Sequence, residues 1–81
     1  MKGDRIVDCV GLYCPVPIVK TAQEMKLLKD GEVLEIIADD KGIKSDMPAW
    51  TSKTGHELMS IEEEDGEFHV FVRKKGGKDG R

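Results

Sequence analysis

"RIVDCVGLYCPVPIVKTAQEMKLLKDGEVLEIIA", residues 5–38, changes its hydrophobic period twice, and those changes decide the fold. Residues 5–10, Arg-Ile-Val-Asp-Cys-Val, are rich in β-branched side chains and stop at Gly11, which reads as a first strand. From Pro15 the spacing turns helical: Ile18, Ala22, Met25 and Leu28 recur at intervals of four, three and three, one stripe of an amphipathic helix. Lys20, Gln23, Glu24 and Lys26 fall off that stripe, and Lys29-Asp30-Gly31 supplies a stop. Residues 33–38 then alternate again, with Leu34, Ile36 and Ala38 on one face and Val33, Glu35 and Ile37 on the other. A β-α-β unit of this kind calls for a right-handed crossover and a parallel strand pair.

Downstream, Asp39-Asp40-Lys41-Gly42 reads as a loop. Ser45 or Asp46 can cap a second helix with Pro48 in its first turn, where N–H groups lack intrahelical partners. Met47, Trp50, Thr51 and Thr54 share one face of that helix, Trp50 being its core anchor, and Gly55 ends it. Residues 57–64 and 67–73 are two strands around Asp65-Gly66, a strong signal for a two-residue hairpin turn. Glu62-Glu63-Glu64-Asp65 reads as a solvated strand end and turn.

The order is β-α-β-α-β-β, and two helices can cover only one face of four strands. The expected fold is an α/β two-layer sandwich with a mixed four-stranded sheet. If Leu34, Ile36 and Ala38 face the helices, Val33 and Ile37 face out. Phe68, Val70 and Val72 then point inward, and His69 and Phe71 outward. Val33, Ile37 and Phe71 could form a docking patch or be scattered and inert; both readings stand.

Eighty-one residues make one small domain with a modest core. Charged residues are 36% of the chain and hydrophobic ones 38%. One Trp, one Tyr and two Phe are too few for a base-stacking nucleic-acid platform. The formal charge of −3 conceals an asymmetry, because residues 73–81 carry +4 and the remainder −7. The chain divides into a domain over residues 1–73 and a flexible, basic, Gly-rich tail over 74–81. That tail is either a solvated appendage or a contact for RNA or an acidic protein. No stretch approaches the ~20 apolar residues of a membrane span, and the first residues do not read as an export signal. Two cysteines in such a chain are expected to be reduced thiols in the cytoplasm.

Cys14 sits at or beside the N-cap of the first helix, with Pro15 near its first position, where proline is favoured. The leading N–H groups of a helix lack partners and the macrodipole is positive at that end. A thiolate there is stabilised, so its pKa falls below the reference of about 8.5. With Cys14 as the N-cap, Pro15 and Pro17 offer no donor and Val16 keeps the nearest N–H. The prolines stiffen the backbone while leaving few bonds to hold the sulfur in one pose, which suits a sulfur handed between proteins. The alternative is a buried structural cysteine, although a loop-to-helix junction between Gly11 and two prolines is seldom the centre of a core.

The string Asp8-x-x-Gly11-Leu12-x-Cys14-Pro15-x-Pro17 resembles the signature of the TusA-like (SirA-like) sulfur-carrier family. "IADDKGIKSDMPAW", residues 37–50, is similar to that family's second-strand-to-second-helix segment. The resemblance covers all but the basic tail. It implies a two-layer sandwich and a single catalytic cysteine, here Cys14, carrying sulfur as a persulfide. Asp8, Gly11, Leu12, Pro15 and Pro17 would support it. The resemblance further implies a cysteine desulfurase or rhodanese-type sulfur donor and a downstream acceptor protein. The acceptors serve tRNA thiolation, molybdenum-cofactor chemistry or sulfur oxidation, and the sequence does not choose among them. Displacement at sulfur by a thiolate needs neither a metal nor an organic cofactor.

Other readings stay beside this one. Cys9 is a small core residue or a resolving cysteine that closes a disulfide with Cys14; C-x₄-C with two distant histidines is weak evidence for zinc. Asp8 caps or orients its loop, and Asp39, Asp40 and Asp46 do the same for the second turn. His56 and His69 read as solvent-facing. The element order also resembles the C-terminal domain of a bacterial translation initiation factor, which keeps RNA binding open, as is a non-catalytic regulatory module using the open sheet face. An acidic body would repel phosphate outside the tail, and fold analogy alone is a poor guide to function.

Overall fold

The computed structural model describes residues 3–13 and 16–75. The elements are β1 (Arg5–Cys9), α1 (Val16–Met25), β2 (Val33–Ala38), α2 (Ile43–Thr54), β3 (Glu57–Glu64) and β4 (Glu67–Arg73), the expected β-α-β-α-β-β order. The sheet runs β1-β2-β4-β3. β1 and β2 are parallel, while β4 is antiparallel to both β2 and β3. Both helices pack on one face, α1 over β1 and β2, α2 over β3 and β4.

The core lies between the layers. Val7 and Cys9, then Leu34, Ile36 and Ala38, then Phe68, Val70 and Val72 form three adjacent rows, closed by Met25, Leu28, Ile43 and Met47. Trp50, Leu58 and Ile61 pack partly buried against it. Full burial of a Leu or Ile side chain stabilises by about 1.5–3 kcal/mol, so the central rows outweigh any surface pair.

Of the expected α1 stripe, Met25 and Leu28 are buried and Ile18 packs partly buried against the core, while Ala22 is half-buried. Pro17 and Thr21, beside Ile18 and Ala22, are buried in addition. Thr21 can take the central position because its hydroxyl donates to the Pro17 carbonyl at 2.7 Å, so no polar atom is buried unpaired. Helix α2 also starts earlier than expected. The Ile43 and Lys44 amides donate to the Asp40 and Lys41 carbonyls, and Gly42 is the N-cap. Ser45 and Asp46 are therefore inside the helix, and Pro48 lies in its interior rather than its first turn. Gly55 ends α2 as expected, with φ 87° and its N–H on the Thr51 carbonyl. Asp65 and Gly66, at φ 53° and 80°, make the tight β3–β4 turn.

On the open sheet face, the three hydrophobes Val33, Ile37 and Phe71 are unequally exposed. Phe71 points away from the helices yet is only 1% exposed, in a central strand between Glu35 of β2 and Ser60 of β3. Val33 and Ile37 are half-buried. His69 is not solvent-facing: its Nδ1 lies 2.9 Å from Glu35 Oε2. Arg73 pairs with Glu57 on the same face, so polar pairs stand among the hydrophobes Ile6, Val33, Ile37 and Phe71 there. His56 is half-buried as well, its ring 5.5 Å from that of Trp50 and its Nδ1 accepting from the Lys75 amide.

Lys74 and Lys75, at the start of the expected tail, bond to the folded domain. Lys74 and Glu32 are joined through the Lys74 amide, Gly31 donates to the Lys74 carbonyl, and Lys74 Nζ reaches the Leu28 carbonyl at 2.8 Å. Lys74 and Lys75 are thus tied to the fold, and the rest of the proposed tail, residues 76–81, lies outside the described residues.

Candidate functional site

The parallel pair β1–β2 ends at the Cys9–Ala38 rung. Two βα loops leave side by side from there, one to α1 and one to α2. Open parallel sheets carry their sites at this carboxyl end.

The first loop is pinned amide by amide. Val10 N–H donates to Asp8 Oδ1 at 3.0 Å, an Asx-type turn. Gly11 N–H donates to Asp39 Oδ1 at 3.0 Å, across to the second loop. Leu12 N–H returns to the Cys9 carbonyl at 3.1 Å, and the Leu12 side chain packs against the core. Gly11 has φ +85° with nothing near a would-be Cβ, so the left-handed backbone, not lack of room, calls for glycine. Val16 N–H donates to the Tyr13 carbonyl at 2.9 Å. Cys14 and Pro15 lie outside the described residues.

The four remaining motif residues, Asp8, Gly11, Leu12 and Pro17, therefore flank the junction in the roles of capping, turning, anchoring and starting the helix. Pro17 is the second residue of α1, where its missing N–H breaks no helical bond. The first turn of α1 holds no acidic side chain that would offset the positive end of the helix. Pro17 and Ile18 also line a shallow cleft with Asp40, Ile43 and Asp46 of the second loop and α2.

Cys9 is the core residue, at 0% exposure. Burial pushes its thiol up from its ordinary value; Lys20 acts against that shift and Asp8 adds to it. A resolving role would require Cys9 to leave the core, because the thiolate, not the buried thiol, is the nucleophile.

Two features were not read from the sequence. One is the Asp39 bond to Gly11, which takes Asp39 out of the expected capping of the second turn, while Asp40 accepts the Gly42 amide there at 3.1 Å. A parallel register aligning Cys9 with Ala38 would have put Asp39 beside the first loop. The other is a set of exposed apolar side chains around the junction: Val10, Tyr13 (72% exposed), Val16 and Val19. Val16 and Val19, three apart and off the buried stripe, carried that signal in their spacing.

A family model described as Sulfurtransferase TusA matches residues 5–74. YrkF of Bacillus subtilis is 51% identical over 76 residues, 94% of this chain, and the chain spans 41% of that relative's length. YrkI of the same organism is 43% identical over 76 residues and is spanned over 100% of its length. The sulfur carrier protein TusA of Allochromatium vinosum is 39% identical over 88% of this chain and 93% of its own. Among solved structures, the SirA-like protein from Desulfitobacterium hafniense superposes with a TM-score of 0.76 at 18% identity, covering 88% of this chain and 97% of that one. That likeness concerns the fold. Among the described residues, no helix is long and apolar enough to cross a membrane.

Proposed function

The chain belongs to the sulfurtransferase TusA family, and on that premise we propose that it carries sulfane sulfur as a persulfide on Cys14. The Cys14 thiolate attacks the terminal sulfur of a donor persulfide. A new S–S bond forms at Cys14, the donor's S–S bond breaks, and the donor leaves as a thiolate. The loaded Cys14 then presents its own terminal sulfur to an acceptor thiolate, and the same exchange regenerates the free cysteine.

The observation that carries this reading is the motif's position. Asp8, Gly11, Leu12 and Pro17 hold the strand-to-helix junction into which Cys14 is spliced. The lead into α1 lies at the positive end of the helix dipole, which favours a thiolate. Val10, Tyr13, Val16 and Val19, flanking Cys14 in the chain, expose apolar surface of the kind a protein partner covers. The donor is a cysteine desulfurase or a rhodanese-type protein, the acceptor is a further thiol protein, and the setting is a reducing cytoplasm. Outlets in tRNA thiolation, molybdenum-cofactor assembly and sulfur oxidation are equally served by this chemistry.

Incubation with a cysteine desulfurase and cysteine, followed by intact-mass analysis, tests the proposal. Wild-type protein is expected to gain one sulfur that a reductant removes, and Cys14→Ser none. No adduct on the wild type, or an equal adduct on Cys14→Ser, would overturn it.

A further inference from the structure

The bond between Gly11 and Asp39 differs in kind from the others in the first loop. Val10 N–H to Asp8 and Leu12 N–H to Cys9 are local, tying the loop to its own strand. Gly11 N–H to Asp39 Oδ1 spans 28 positions in sequence and crosses from one βα loop to the next. It falls where the β1–β2 ladder has just ended, at the Cys9–Ala38 rung. The carboxylate therefore extends the pairing of the two strands by one bond after their backbones diverge.

The neighbouring Asp40 accepts the Gly42 amide through its side chain and the Ile43 amide through its carbonyl. Asp39 has an exposed carboxylate whose bond goes to the other loop. A charge-assisted bond of this type is stronger and more directional than a neutral one. Gly11 is a residue whose backbone could otherwise take many conformations, so an anchor at its amide removes freedom where the chain has most of it. Three residues later comes Cys14.

We propose that Asp39 is a positioning residue for Cys14, acting through the Gly11 amide to hold the cysteine-bearing loop in register with the rigid β2 strand. This inference rests on Cys14 being the sulfur-carrying thiol. Displacement at sulfur depends on how the attacking thiolate is aimed, and small misplacements of a reacting group cost rate steeply.

The test compares Asp39→Ala, Asp39→Asn and Asp39→Ser with wild type in two measurements: Gly11 amide hydrogen exchange by NMR, and the rate of sulfur loading by a cysteine desulfurase with cysteine. Asp39→Ala is expected to accelerate Gly11 exchange and to slow loading by about tenfold, while its melting temperature stays within a few degrees of wild type. Asp39→Asn keeps an oxygen acceptor, and its loading rate should recover in proportion to its Gly11 protection. A loading rate that follows Gly11 protection across the three variants supports the proposal. Loading that stays at the wild-type rate when Gly11 is unprotected, or falls when Gly11 is protected, overturns it. Failure of wild-type protein to load would count against the Cys14 reading instead, and the exchange measurement would still report the Asp39 bond.

Discussion

Cys9 and Cys14 are five residues apart in sequence, and Cys9 is the one within the described residues. Cys9 closes a β-strand row behind Val7 and is removed from water. Its neutral thiol is favoured there, so its folded-state pKa lies above the unfolded one. The resulting stability is fully present below the unfolded thiol pKa, about 8.5, and is lost as pH rises through the folded value. Wild-type stability should therefore decline in alkaline solution, and Cys9→Ala should flatten that decline, as urea titrations at several alkaline pH values would show. Under native conditions iodoacetamide should modify one thiol, with the second reacting only after unfolding; two fast thiols in the native protein would contradict the burial of Cys9. From the sequence, Cys9 was legible as a core residue because it falls in phase with Val7. That same alternation could not exclude the resolving role, since accessibility depends on α1 packing over the strand.

Among the elements, the hairpin was the most legible and the helices the least so. Asp65-Gly66 demands a particular turn whatever surrounds it, so β3 and β4 were bounded correctly. The stripe of α1 was incomplete at its N-terminal half because Thr21 and Pro17 do not count as apolar when read singly. Paired through one hydroxyl-to-carbonyl bond, they form the buried face. In α2, Pro48 suggested a later start, yet Thr51 donates to the Met47 and Pro48 carbonyls and the helix runs through the proline. Its end is set by Gly55 in the left-handed region. Gly55→Ala is expected to cost about 1–2 kcal/mol, which for a domain of this size lowers the melting temperature by about 4–8 °C per kcal/mol. An unchanged melting curve would mean that the α2 terminus is not held as described.

At the scale of the whole molecule, stability is concentrated in the rows of β2 and β4 beneath the helices. Leu34 is fully buried at the β1–β2–β4 crossing, so Leu34→Ala should lose about 2–5 kcal/mol. Against a total of about 5–15 kcal/mol for a native domain, that substitution should shift the urea midpoint strongly; a shift under one-tenth of the wild-type midpoint would place the core elsewhere. The sequence by itself determined the element order, the turn residues, the two-layer architecture and the motif around Cys14. Each of these is written in local periodicity or in the backbone preferences of glycine, proline and aspartate. Only the tertiary structure decided that Phe71 is sealed on the outer sheet face, that Lys74 and Lys75 are tied to the fold, and that Asp39 belongs to the cysteine loop rather than its own turn. All three depend on strand register between segments distant in sequence, and register is fixed by the assembled sheet, where a shift of one residue would exchange the faces of every side chain.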